Sequence, residues 1–150
     1  MRVLKLFLDT NVLMDYIAQR SLFYEEAKTL TIMQVFGDVK LYASGKSYTD
    51  IFYSMKKSID SQIIQGLFIE SLSVFDICSL ESDDIKAACE LAWPDFEDAL
   101  ITVCAKKVAA DYLVTRDSRL KPAGIPLCTP TQIIEMMRER GLTYTTVDLE

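Results

Sequence analysis

With 150 residues, half of them hydrophobic and a quarter charged, the chain is long enough for a single domain with its own core, spanning residues 1–150. The chain has no histidine and its four cysteines lack CxxC spacing, which excludes Cys/His zinc sites and catalytic triads with histidine. A net charge of −6 argues against a broadly basic surface, and no apolar run has the length of a membrane span. We therefore expect a soluble, cytoplasmic domain with reduced cysteines that makes no use of membranes and relies on carboxylates, Lys, Tyr or metal for chemistry.

The first predicted strand and helix meet at an aspartate. Val3 to Leu8 is apolar except for Lys5, which is typical of a strand buried on both faces of a parallel sheet. Val12 to Gln19 has helical spacing, so the chain turns from strand to helix within residues 9–11. Asp9 is therefore placed where a strand ends, which is where ligands bind in open α/β sheets; helix capping is the alternative role.

The middle of the chain continues to alternate between helices and strands. Apolar periodicity predicts helices over Tyr24–Phe36, 45–57 and Gln62–Leu72, and strands over Val39–Ser44 and Val74–Ile77. Asp50 falls in the first turns of the helix that follows the second strand, although a capping box begun by Ser47 is an alternative explanation. Glu81, Asp83 and Asp84 open a further helix, and this acidic group is typical of a solvated helix N-terminus.

The stretch DFEDALITVCAKKVAADYLVTRD, residues 95–117, is the second informative segment. Phe96 to Cys104 has a helical face, with Asp95 as the expected N-cap and Asp98 either in a site or as the partner of Asp95 in a capping box. A fourth strand over Tyr112–Thr115 ends just before Asp117. The remaining predicted elements are an edge strand over Ile125–Cys128 that contains Pro126, a helix from Pro130 to Gly141, and a tail over 142–150 that forms an edge strand or an arm.

Strands that alternate with helices predict an α/β fold, a three-layer sandwich with a central parallel sheet of four to five strands. Right-handed crossovers place the strand ends on one edge, where Asp9, Asp50, Asp98 and Asp117 would converge. Converging carboxylates need a cation, and an oxygen-only ligand set favours Mg²⁺ or Mn²⁺, which activate water and stabilise charge on a phosphodiester. Four independent helix caps or turns, which need not converge, are the alternative.

These motifs together resemble the PIN domain, and most closely the VapC-type bacterial toxins. LDTNVLMD, the block DFEDALITVCAKKVAADYLVTRD and the acid at Asp50 between them carry the resemblance, which covers nearly the whole chain. It implies a parallel sheet between helices, Mg²⁺- or Mn²⁺-dependent endoribonuclease activity, and often a homodimer that pairs with a small antitoxin. By the same resemblance, the four acids of the catalytic metal site fall on Asp9, Asp50, Asp98 and Asp117, with Asn11 and Thr115 in support.

The sequence departs from the family pattern in its second acid and in its net charge. The second acid is usually Glu, so Asp50 is one methylene shorter, and Asp95 is a further acid close enough to join the site. The basic residues proposed to contact RNA phosphates are Lys46, Arg116, Arg119 and Lys121. Two other functions stay open: a catalytically inactive PIN-like binding or assembly module, and a phosphoacceptor receiver-like domain, which is disfavoured because Asp9 lacks an adjacent acidic partner.

Overall fold

The computed structural model describes residues 2–117, 120 and 124–144. The strands are β1 (Leu4–Leu8), β2 (Val39–Ser44), β3 (Asp76–Cys78), β4 (Tyr112–Val114) and β5 (Leu127–Cys128). The helices are α1 (Thr10–Ile17), α2 (Tyr24–Val35), α3 (Gly45–Met55), α4 (Ser61–Ser71), α5 (Ser82–Glu90), α6 (Phe96–Lys107) and α7 (Pro130–Glu139). All strand pairs are parallel, in the order β3-β2-β1-β4-β5, so the predicted α/β sandwich with a central parallel sheet is confirmed.

Strand β1 lies at the centre of the sheet and supplies side chains to the two larger hydrophobic cores, one on each face. Leu6 and Leu8 pack with α1, α2, α3, α4 and α7 on one face, whereas Phe7 packs with α6 on the other. Burial on both faces explains why the strand is almost continuously apolar. The buried thiols of Cys78 and Cys104 belong to the second core, as expected for small hydrophobic residues.

Most predicted boundaries agree with the structure to within a few residues. Gly37 and Gly141 follow α2 and α7 with φ of 80° and 83°, the left-handed conformation that favours glycine and ends a helix. The strand predicted over Val74–Ile77 is shorter and displaced, because residues 72–75 continue from the end of α4 as a turn. The strand next to Pro126 is at the sheet edge, as predicted.

The C-terminal tail is described only up to Tyr144. Residues 142–144 form no strand, and the Tyr144 hydroxyl donates a hydrogen bond to Asp38. The rest of the tail, residues 145–150, lies outside the described residues. In the described ranges, every helix is too short or too polar to cross a membrane.

The sheet register brings the ends of three neighbouring strands to the same level. Leu8 of β1 is paired with Val114 of β4, and the backbone N–H of Asp9 donates to the Val114 carbonyl at 2.9 Å. On the other side, Phe7 is paired with Tyr42 of β2. The residues that directly follow β1, β2 and β4 therefore share one edge of the sheet.

Candidate active site

Asp9 lies at the middle of this edge and is almost completely buried, with 7% of its surface exposed. Its Oδ1 accepts a hydrogen bond from the backbone N–H of Thr10 at 2.8 Å, so Asp9 is also the N-cap of α1. Its Oδ2 accepts from the Thr115 hydroxyl at 2.8 Å. Burial raises the pKa of Asp9, the nearby charge of Asp117 raises it further, and the Thr115 and Thr10 hydrogen bonds oppose this effect.

Thr115 connects Asp9 to the acid that follows β4. The Thr115 side chain is buried, and its hydroxyl oxygen accepts a hydrogen bond from the backbone N–H of Asp117 at 3.0 Å while the hydroxyl donates to Asp9. One hydroxyl thus fixes the carboxylate of Asp9 and the backbone that carries Asp117. Thr115 thus lies between two of the predicted site acids, and its supporting role in a metal site stays a prediction.

The first turn of α6 brings a third acid to the group. Asp95 is the N-cap, as predicted, and its Oδ1 accepts from the backbone N–H of Asp98 at 3.1 Å. The pKa of Asp98 is raised from 3.8 to about 6, first by burial and then by the negative charges of Asp95, Asp9, Asp117 and Glu97. The charges of Asp9 and Asp117 therefore disfavour the ionised form of Asp98.

Asp50 does not cap a helix. The proposed capping box from Ser47 to Asp50 is wrong, because α3 already begins at Gly45 with Ser44 as its N-cap, which places Asp50 in the second turn. Ser47 is buried and its hydroxyl bonds to the Thr10 hydroxyl at 2.7 Å, joining α3 to α1. Asp50 lies three residues after Ser47 on the same helix.

An ammonium group lies between Asp50 and an acid that the sequence analysis did not assign. Lys46 Nζ is 2.7 Å from Asp50 Oδ2 and 3.5 Å from Glu97 Oε2, so it bridges α3 and α6. The hydrogen bond to Asp50 is the main cause of the raised pKa of Lys46. Burial raises the pKa of Glu97, the charges of Asp50 and Asp9 add to this, and Lys46 opposes it.

Glu97 could not be assigned from the sequence, because an acid in the first turn of a helix is ordinary on dipole grounds. The one available signal is its position directly before Asp98. The approach of α3 to α6, which places Lys46 against Glu97, follows only from the tertiary fold.

The other predicted site residues differ in their surroundings. Arg116 donates two hydrogen bonds to the fully buried Asp15, at 2.8 and 3.1 Å, and its guanidinium carbon is 3.7 Å from the centre of the Phe23 ring. Asn11 is exposed on α1, and its support of Asp9 stays a prediction. Arg119 and Lys121 lie outside the described residues. A cleft of about 230 Å³ lies beside Thr115, Arg116 and Asp117 and continues to α7.

The chemistry of these side chains fits a hard divalent cation. Carboxylate oxygens are the preferred ligands of Mg²⁺ and Mn²⁺. The pKa of Asp98 is raised first by burial and then by neighbouring negative charges, which a bound cation would neutralise. Among residues 2–117, 120 and 124–144, no three acidic or cysteine side chains already have the spacing of a coordination sphere. The donor types fit a metal, whereas a complete ligand set is not preformed.

The fold and the acidic edge of the sheet define a class of protein: parallel α/β proteins with several carboxylates at the ends of the central strands. The sequence profile of the PIN domain matches residues 5–119, which is most of the chain. The protein therefore belongs to the PIN-domain family, as its motifs predicted. Membership of this family, together with the acidic edge, supports a nuclease in general. No curated protein matches the chain significantly.

Solved structures with a similar fold include three toxin proteins or complexes. VapBC2 from Rickettsia felis, bound to a promoter DNA fragment, has 19% identity and a TM-score of 0.62 over 84% of this chain and 98% of that chain. A toxin-antitoxin complex from Klebsiella pneumoniae has 25% identity and a TM-score of 0.59, covering 83% and 96%. VapC20 from Mycobacterium tuberculosis, a toxin that cleaves the sarcin-ricin loop, has 14% identity and a TM-score of 0.61, covering 80% and 95%.

Proposed function

We propose that this protein is a Mg²⁺- or Mn²⁺-dependent endoribonuclease, the toxin of a bacterial toxin-antitoxin pair. The observation that carries the proposal is that Asp9 and Asp117 follow two adjacent parallel strands and both act on Asp98, whose pKa is raised to about 6, first by burial and then by neighbouring acids. Acidic side chains that disfavour the ionisation of a neighbouring acid are expected where a bound cation completes the site.

In this mechanism Asp9, Asp98 and Asp117 would hold the metal, with Asp50 at the flank. The metal, when bound, supplies an activated water and stabilises charge on the phosphodiester. The protein contributes the positions of the acids: the Thr115 hydroxyl orients Asp9 and the backbone of Asp117, and the Asp95 cap orients the first turn of α6. No histidine base is needed, which agrees with a sequence that has none.

RNA as the substrate is supported by the neighbouring toxin that cleaves the sarcin-ricin loop. The cleft beside Thr115 and Asp117 is the place where we expect part of the RNA to bind. Lys46, Arg116, Arg119 and Lys121 remain the proposed phosphate contacts, and the pairing of Arg116 with Asp15 leaves only part of its guanidinium for that role. Asp95 contributes as the cap of α6.

An antitoxin partner is supported by the neighbours that are toxin-antitoxin assemblies. We propose that this protein is likewise held inactive by a small antitoxin, and that it forms a homodimer. Co-expression with a candidate antitoxin from the same genome, followed by purification as a complex and by light scattering of each species, tests both proposals.

The test of the function compares wild type with Asp9→Asn on RNA and DNA oligonucleotides, with Mg²⁺, Mn²⁺ or a chelator. Asn caps helices about as well as Asp, so the variant should keep its fold while losing one ligand charge. We expect metal-dependent RNA cleavage by wild type and none by Asp9→Asn. Full-rate cleavage by Asp9→Asn, or cleavage that is indifferent to chelation, would contradict the proposal.

A second candidate is a PIN-like binding or assembly module without catalysis. It is favoured by one observation: in the described part of the chain, no three acids are already spaced as a coordination sphere. This candidate predicts neither cleavage nor stabilisation by Mn²⁺, together with stable association with a partner protein.

A further inference from the structure

The ammonium group of Lys46 lies between two carboxylates, in the position that a bridging metal cation would occupy. It lies 2.7 Å from Asp50 Oδ2 and 3.5 Å from Glu97 Oε2, between carboxylates from two helices that are distant in the sequence. An ammonium is a compact point charge, and its hydrogen bonds to carboxylates are charge-assisted. A divalent ion that used both Asp50 and Glu97 would have to displace this ammonium.

This bridge adjoins the acids proposed to hold the metal. Glu97 directly precedes Asp98 in the first turn of α6. The acidic edge therefore has two parts. Asp9 and Asp117, which Thr115 joins, form the first part together with Asp98. Asp50 and Glu97, with Lys46 between them, form the second.

The bridge contributes little to folding stability. The side chains of Lys46, Asp50 and Glu97 are 38%, 37% and 39% exposed, and ion pairs this exposed contribute little because water screens them. The effect of Lys46 is therefore expected on ion binding at the adjacent acids rather than on the fold.

We propose that the ammonium of Lys46 takes the place of a second divalent ion, so that this protein binds one metal ion where its acids alone would hold two. The inference rests on the proposed function, because it assumes that Asp9, Asp98 and Asp117 bind the first ion. Lys46 is thereby a positioning residue that keeps Asp50 and Glu97 neutralised and apart.

The test is the number of Mn²⁺ ions bound per chain, measured by calorimetric titration and by the EPR signal of free Mn²⁺. Wild type should bind one ion and Lys46→Met two, with Lys46→Arg remaining at one because its charge is kept. The double variant Lys46→Met with Glu97→Gln should return to one ion, which assigns the gained site to Glu97.

Lys107→Met is the matched control. Lys107 also bridges two acids at a helix start, 2.8 Å from Asp84 and 3.9 Å from Glu81, outside the acidic edge. Its loss should leave the number of bound ions at one. A gain of an ion in Lys107→Met as large as in Lys46→Met would make the effect general to freed acid pairs and would overturn the inference.

The remaining outcomes separate the two proposals. Two ions bound to wild type, or one ion bound to Lys46→Met, overturns the inference about Lys46 and leaves the metal-dependent function standing. No ion bound to wild type contradicts the metal-dependent function itself, and the inference falls with it. A fall of more than a few degrees in the melting temperature of Lys46→Met would instead assign Lys46 a structural role.

Discussion

Helices α5 and α6 begin with acids at matching positions, yet the two helix starts differ in their electrostatics. Asp84 and Asp98 are each the third residue of their helix. The hydrogen bond from Lys107 at 2.8 Å is the main cause of the lowered pKa of Asp84, and the backbone N–H of Glu81 adds to it. Asp98 has acids around it instead, and its pKa is raised to about 6, chiefly by burial.

The difference shows that the surroundings of an acid, and not its place in a helix, indicate its role. At α5 the capping box and Lys107 satisfy the acids, which is sufficient to explain them. At α6 capping explains Asp95 but not the meeting of Asp98 with Asp9 and Asp117. At the start of α6 the folded protein disfavours the ionised form of Asp98. Such an arrangement is expected where a bound ligand compensates the charge.

The largest expected difference between the two helix starts is in RNA cleavage. Asp98→Asn should lower kcat by about 100-fold or more, as the loss of one group that stabilises charge in a site typically does. Asp84→Asn changes the same helix position and should cleave at the wild-type rate. Single-turnover cleavage of one RNA by both variants checks this, and equal rates for the two would remove the distinction on which the site assignment depends.

The two substitutions should also change metal-free stability in opposite directions. Asp98→Asn relieves repulsion and should raise the melting temperature at pH 7.5, by roughly 2–4 °C for each kcal/mol relieved. Asp84→Asn weakens the contacts with Lys107 and Glu81 and should lower it. Calorimetry in the presence of a chelator measures both changes; a lower melting temperature for Asp98→Asn would show that its charge is not repelled in the folded state.

The two helix starts should also make opposite contributions to the pH dependence of folding stability. Because the pKa of Asp98 is about 6 in the folded protein against 3.8 ordinarily, the folded state binds the proton more tightly. Its contribution to stability is therefore complete below pH 3.8 and is lost as the pH rises towards about 6. The lowered pKa of Asp84 acts oppositely, with stability present at neutral pH and lost on acidification. Denaturant titrations from pH 4 to 7 should show a smaller loss of stability with rising pH in Asp98→Asn than in wild type.

The smallest expected effect concerns the two bridging lysines. Lys107→Met should lower the melting temperature because it removes the partner of the buried Asp84. Lys46→Met should change it by less than about 2 °C, because more than a third of each side chain in its bridge is exposed to water. Thermal unfolding without metal tests this order, which would be reversed if Lys46 were primarily structural.

The sequence was sufficient for the features that depend on local pattern. A continuous apolar run before Asp9, helical spacing after it, and the spacing from Asp95 to Asp98 correctly predicted β1, α1 and the start of α6. The acids that follow buried parallel strands were placed on the correct edge, because the topology of a parallel sheet brings strand ends together.

The contacts between distant elements could not be predicted. The bridge from Lys46 to Glu97 requires that α3 approach α6, and the pairing of Arg116 with Asp15 requires that the loop after β4 pack against α1. No periodic pattern in the sequence indicates either contact, because both depend on how elements from separate segments pack over the sheet. The register of the short edge strand β3 could not be predicted from apolar alternation either, because two of its three residues are exposed.

The most direct test of the central claim is the shift in melting temperature caused by Mn²⁺ in wild type, Asp98→Asn and Asp84→Asn. A ligand at about 100 times its dissociation constant stabilises the folded state by about 2.7 kcal/mol. We expect Mn²⁺ to raise the melting temperature of wild type and Asp84→Asn equally, and to have little effect on Asp98→Asn. Equal responses of all three proteins, or a response lost only in Asp84→Asn, would contradict a cation site formed by the acids around Asp9.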